Sequence, residues 1–267
     1  VMQNLNYGVV GNCRSAALVS KSGSIDWLCL PDFDSASTFA KILDNEKGGS
    51  FSFEVDNSYT ITQFYKSRTN ILITKFASPQ GIFEVFDFMP RYKTGDKEYF
   101  APPEIYRYIN YVSGNPVFKI IYDPKLNYAY SCVNNRPENN YIRTISCENP
   151  NDCIYVYSSF DYNDILESKE IALERNQFLL LSYNQKLIDI DINTAYLEYQ
   201  RTKVYWLNWI NRSRKFGNYT EEIYRSLLVL KIMSYQNTGA VLAAVTTSLP
   251  ETIGEVRNWD YRFCWLR

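Results

Sequence analysis

From Tyr7 onward, apolar and polar positions alternate in short runs broken by turn residues. Gly8-Val9-Val10-Gly11, Ala16-Ala17-Leu18-Val19 and Ile25-Asp26-Trp27-Leu28-Cys29-Leu30, with Ser22-Gly23-Ser24 between the last two, predict strand, tight turn, strand. Pro31 to Ser35 interrupts the pairing, and residues 37–43 read as a short helix. Residues 50–55 place Phe51, Phe53 and Val55 on one face, the mark of a half-buried strand. Further strands are predicted over residues 58–65, 71–77, 82–88, 105–112, 117–122, 128–133, 141–146, 154–159, 171–173 and 178–183. Their spacing, with Gly, Pro and Asn-Asn breaks, predicts a mainly β fold of two packed antiparallel sheets, a β-sandwich.

Near residue 194 the period changes. Residues 194–215 lack Gly and Pro and carry Leu197, Val204, Leu207 and Ile210 at helical intervals, and Gly217 is placed to stop that helix. Asn218 precedes Glu221 by three residues, so it is expected to cap a second helix whose stripe is Ile223, Leu227, Leu230 and Ser234, widened by Leu228 and Ile232. An apolar stripe on a lone pair of helices would stay uncovered, so self-association through residues 227–233 is expected. The chain then closes on a dense run, Arg257-Asn258-Trp259-Asp260-Tyr261-Arg262-Phe263-Cys264-Trp265-Leu266-Arg267, unlike a frayed terminus.

Composition narrows the chemistry. Among 267 residues there is no histidine, which removes His-based nucleophile systems, His-ligated zinc and imidazole bases. Lys and Arg number 28 against 29 Asp and Glu, a net charge of −1 that argues against a nucleic-acid partner. No metal or cofactor is expected. No apolar run approaches the ~18 residues of a membrane span, and no targeting segment is visible. A cytoplasmic protein with no membrane partner is therefore expected. Phosphate-loop patterns fail, since Gly8-Val9-Val10-Gly11 lacks the third glycine. Six cysteines form no CxxC pair. The simplest reading is reduced, buried thiols; a Cys132–Cys147 or Cys147–Cys153 disulfide stays open for a hyperthermophilic host. The 43 aromatic residues (23 Tyr, 15 Phe, 5 Trp) have two readings. One is a codon bias shared with the abundant Asn, Ile and Lys; the other is sugar handling on flat rings.

Three stretches carry a family resemblance. Residues 7–19 and 23–35, Phe86-Asp87-Phe88-Met89-Pro90 with Pro103-Glu104-Ile105-Tyr106-Arg107, and above all residues 238–251 with 257–267, resemble prokaryotic and archaeal glycoside hydrolases of family 15, the glucoamylase/trehalase family. The resemblance implies a β-sandwich over residues 1–193, a helical linker over 194–217, and over 218–267 the first helix and loop of an (α/α)6 barrel that is not completed. It implies an inverting α-glucoside hydrolase, glucoamylase-like first and trehalase-like second, acting on an α-glucan oligosaccharide or trehalose. Both catalytic glutamates of the family lie downstream of a Trp-x-Arg-Asp motif, of which Trp265 and Arg267 are present. No catalytic residue is therefore carried over, and the chain alone is expected to be inactive. A sugar-contacting role is carried to Tyr261, Trp265 and Arg267: Trp265 walls the pocket, Arg267 offers its fork to sugar hydroxyls, and Tyr261 supports through its hydroxyl. Asp260 and Arg262 are read as a structural ion pair, and the loop from Asp26 to Ser35 as reaching toward the second domain. A noncatalytic glucan-binding or structural sandwich is the rival from another class, and an oligomer stays open.

Overall fold

The computed structural model describes residues 5–187, 190–249 and 253–265. In chain order the elements are β1 (Tyr7–Gly11), β2 (Ala16–Ser20), β3 (Ile25–Cys29), β4 (Ser37–Phe39), β5 (Ser50–Glu54), β6 (Thr60–Tyr65), β7 (Leu72–Ala77), β8 (Gly81–Phe88), β9 (Tyr92–Lys93), β10 (Tyr99–Phe100), β11 (Glu104–Gly114), β12 (Val117–Asp123), β13 (Val133–Pro137), β14 (Ile142–Ser146), β15 (Cys153–Ser158), α1 (Tyr162–Leu166), β16 (Glu170–Ala172), β17 (Gln177–Tyr183), α2 (Ile192–Ile210) and α3 (Thr220–Ile232). One sheet runs β1-β2-β3-β5-β12-β16 with β4 on β3; the other runs β13-β14-β15-β17-β11-β8-β7-β6; β9 and β10 form a separate ribbon. Neighbouring strands pair antiparallel, as the alternation predicts.

The period-two pattern explains the layers. On β8, Phe83 and Val85 face the first sheet while Phe86 and Phe88 face away; on β17, Leu179 and Leu181 face in while Phe178 and Leu180 face out. The inner faces make one core in which Phe76 stacks on Phe83 at 4.6 Å and Phe53 meets Phe118 edge-on at 5.4 Å. Much of the aromatic wealth is thus spent on packing between the sheets. The outward set of the second sheet is covered by α2 through Ala195 and Tyr199.

One buried arginine links the two sheets. Arg107 on β11 donates from Nε to Asp87 Oδ1 at 2.8 Å and from Nη2 to Asp87 Oδ2 at 3.1 Å, both side chains fully buried. Its remaining protons reach the Phe51 and Gly23 carbonyls of the first sheet. A two-pronged guanidinium satisfies several buried acceptors at once, as an ammonium would not.

Several expectations change. Residues 37–43 are β4 and turns rather than a helix. Ala40 and Lys41 N–H groups donate to the Gly48 and Gly49 carbonyls, and Lys125 N–H donates to Thr38 O, so non-local pairing takes the segment. Residues 127–129 form a turn with positive φ, and the strand begins only at Val133. The long helix spans Ile192–Ile210, capped by Asp191, whose carboxylate accepts from Thr194 N–H; backbone bonds from Asn211 and Ser213 end it well before Gly217. α3 starts at Thr220 after Tyr219, which is left-handed (φ 53°) and makes no side-chain cap, so Asn218 does not cap it.

α3 is not an open stripe. Leu228 and Ile232 pack with Trp206, Ile210, Phe33 and Cys13, and Leu230 is the large apolar side chain of the helix left exposed. Ile232 lies against Gly11 so closely that a Cβ there would stand 2.6 Å from its Cγ2. Arg225 lies over the Tyr65 ring at 3.8 Å and donates to Thr69 O at 2.8 Å, holding the helix to the β6–β7 turn. Three of six cysteines (Cys132, Cys147 and Cys264) are exposed rather than buried.

Candidate functional site

The segment after α3 folds back onto the first sheet. Trp27 Nε1 donates to Val245 O at 2.8 Å. Two bonds, Ala243 N–H to Phe263 O at 3.1 Å and Ala244 N–H to Tyr261 O at 2.8 Å, pair the segment's start with its end. The described residues between, 245–249 and 253–260, form no helix or strand of this segment. Its far end is fixed by Arg262, which is 5% exposed.

Arg262 is a hub. Nε donates to Asp260 Oδ1 at 3.0 Å and Nη2 to Oδ2 at 2.8 Å, closing the expected ion pair. Nη1 donates to the Ser35 carbonyl at 2.6 Å and the Phe33 carbonyl at 3.2 Å, and Nη2 to the Tyr128 hydroxyl at 2.7 Å. The loop ending at Ser35 therefore does meet the C-terminal segment. Burial works against the guanidinium charge, and the Asp260 carboxylate outweighs it, so Arg262 is held above its ordinary range. Burial likewise opposes the Asp260 carboxylate, and its bonds from Arg262 win, leaving it below the usual carboxylate range. Burial pushes the neighbouring Cys29 thiol up to about 12, which makes it an inert thiol.

This anchor presents a flat aromatic surface. Tyr261 and Trp265 stack at 5.2 Å between centroids with 6° between planes. Trp265 is 41% exposed, so it is not a buried packing tryptophan, and Tyr261 is half-buried. Arg267, the third expected contact, lies outside the described residues. Trp259 and Phe263, their near neighbours in sequence, are also exposed. Such faces suit the apolar side of a pyranose ring. Asp260 is committed to Arg262 and is not free to act as an acid or base.

Other chemistry in the molecule lies elsewhere. Glu104 and Glu198, the former 3% exposed, are buried between the second sheet and α2. Burial raises Glu104 to about 7, helped by Glu198 and opposed by the Ser182 hydroxyl, and burial also raises Glu198. A cavity of about 770 Å³ between the β9–β10 ribbon and α2, lined by Tyr92, Tyr99, Arg201, Tyr205 and Trp209, shares no residue with the Tyr261–Trp265 surface. Among the described residues no group of three or more His, Cys, Asp or Glu side chains is placed to hold a metal ion. Among them, too, no helix is long and apolar enough to cross a membrane.

Tyr128 escaped the sequence reading. Its role depends on a left-handed turn far away in sequence from Arg262, and no local signal announces it.

Comparison with known proteins gives two family matches. Residues 5–164 match the family described as trehalase-like, N-terminal, and residues 217–267 match glycosyl hydrolases family 15. A protein named trehalase from Thermoplasma volcanium is 35% identical over 272 residues, covering 98% of this chain and 42% of that protein. Trehalase 2 of Sulfolobus acidocaldarius is 31% identical, covering 98% and 44%. A trehalase of Mycolicibacterium smegmatis is 28% identical, covering 98% and 42%. The chain thus spans less than half the length of these curated relatives.

Proposed function

Because the chain belongs to glycoside hydrolase family 15 and carries its trehalase-like N-terminal region, we propose that it is the N-terminal part of an inverting hydrolase acting on trehalose. The observation that carries this reading is similarity over 98% of the chain to proteins named trehalase. The same name on the relatives from Sulfolobus and Mycolicibacterium favours trehalose over the glucoamylase-like reading. In this reading residues 1–193 are the sandwich, 194–217 the linker and 218–267 the opening of an (α/α)6 barrel.

Inverting hydrolysis needs one carboxylic acid to protonate the leaving oxygen and one carboxylate to activate water, roughly 6.5–9.5 Å apart. We place both outside these residues. What this chain supplies is a wall of the sugar subsite: the Tyr261–Trp265 stack, next to Arg262 with its bonds to the Ser35 carbonyl and the Tyr128 hydroxyl, and Arg267 as the N–H donor to sugar hydroxyls.

The test joins this chain to the sequence that follows in its gene and follows the anomers by NMR. Trehalose is expected to give α- and β-glucose in equal amounts at first, as inversion at one of two α-linked centres requires. Trp265→Ala should raise KM roughly tenfold or more with a smaller change in kcat, as loss of stacking contact does. Faster cleavage of maltose than trehalose would restore the glucoamylase reading. Glucose release by the 267 residues alone would overturn the placement of the carboxylates.

A further inference from the structure

β13 and β14 pair antiparallel with Val133 opposite Ser146. One step outward, the register sets Cys132 opposite Cys147. The Cys147 N–H donates to the Cys132 carbonyl at 2.9 Å, and the two Sγ atoms stand 2.6 Å apart. Directly opposed residues bring their Cβ atoms to about 4.5–5.5 Å, and a disulfide needs about 3.5–4.5 Å. Closing a bond therefore asks only a small adjustment. Both side chains are exposed, whereas Cys13, Cys29 and Cys153 are buried.

The pair sits beside a strained turn. Asn127, Tyr128 and Ala129 take φ of 53°, 55° and 64°, three successive non-glycine residues in the left-handed region. Tyr128 in that turn receives Arg262 Nη2. The neighbours of the two cysteines, Ser131 and Ser146, line a cavity of about 430 Å³ together with Ser35, whose carbonyl also receives Arg262. Across it the Ser131 hydroxyl donates to Glu148 at 3.2 Å.

We propose that Cys132 and Cys147 are a redox couple whose disulfide locks the 127–131 turn and, through Tyr128, the Arg262 anchor of the aromatic surface. Only the effect on sugar binding rests on the proposed function; the bond and the lock do not. The oxidant is a low-molecular-weight disulfide, RSSR. One cysteine thiolate attacks it, forming a mixed disulfide and expelling RS⁻. The second cysteine, as thiolate, attacks the protein sulfur of that mixed disulfide and expels the other RS⁻. The two protons given up by the cysteines end on the two RSH products. The Sγ–Sγ bond replaces the S–S bond of RSSR, so two thiols are oxidised and one disulfide is reduced.

The intact protein is incubated with glutathione disulfide, alkylated under denaturing conditions and mapped without reduction by mass spectrometry. A peptide pair linked through Cys132 and Cys147 is expected, with Cys13, Cys29 and Cys153 alkylated. Closing a loop of this length should raise the thermal midpoint by roughly 5–10 °C over the reduced protein. Hydrogen exchange across residues 126–131 should slow with it. Cys132→Ser, a near-isostere at an exposed position, should abolish both changes. Alkylation of both cysteines, stable glutathione adducts at either, or a Cys147–Cys153 link would overturn the couple. A bond that leaves midpoint and exchange unchanged would overturn the lock. None of these readouts uses a sugar, so loss of trehalose hydrolysis and failure of the redox couple are separable outcomes.

Discussion

Glu104 shows how one side chain couples packing to pH. It sits on β11, 3% exposed, with the Ser182 hydroxyl donating to it at 3.3 Å. Burial holds its carboxyl at about 7, against about 4.3 for an unfolded glutamate. Between those values the folded chain binds more protons than the unfolded one. The contribution is fully present below about 4.3 and is lost as pH rises through about 7. Urea midpoints should therefore fall between about pH 4.5 and 7.5, and Glu104→Gln should flatten that slope, a difference of about 3 kcal/mol. The motif Pro103-Glu104-Ile105-Tyr106-Arg107 was visible as a family feature. That its glutamate is buried beside Glu198 was not, because α2 brings Glu198 there from 94 residues away.

At the scale of elements, α3 shows why a helix is better judged by what it lies on than by its own stripe. The sequence presents Ile223, Leu227 and Leu230 as one apolar line. The structure buries Leu228 and Ile232, which widen that line, together with Tyr224, and leaves Leu230 exposed. Docking is set by partners: Gly11 admits Ile232 to the backbone of β1, Asn70 donates to the Leu228 carbonyl, and Arg225 grips the β6–β7 turn. Ile232→Ala should cost about 2–5 kcal/mol in chemical denaturation, since the rigid β1 backbone cannot collapse into the space left. A cost within about 0.5 kcal/mol would mean that α3 is not docked in solution as described.

For the whole molecule, Arg107 is a buried polar link between the sheets. Arg107 reaches Asp87 in its own sheet and two carbonyls of the other. Arg107→Met should destabilise the entire sandwich by about 3–5 kcal/mol, because Asp87 and two carbonyls lose their buried partner. Adding Asp87→Asn should recover part of that loss. Coincident transitions by tryptophan fluorescence and circular dichroism would show that the cost is global; a change confined to one probe would show that the sheets unfold separately.

Alternation alone was enough to foretell a two-sheet antiparallel sandwich giving way to helices near residue 194, since a strand's two faces and a helix's 3.6-residue turn are local properties. Short motifs likewise announced the family and the Asp260–Arg262 pair, whose members are two residues apart. Long-range pairing settled the rest. It made residues 37–39 a strand, turned Tyr128 toward Arg262, and set Cys132 against Cys147. Each of these depends on backbone groups or side chains brought together from distant segments, where hydrogen-bond satisfaction in a packed interior outweighs local propensity.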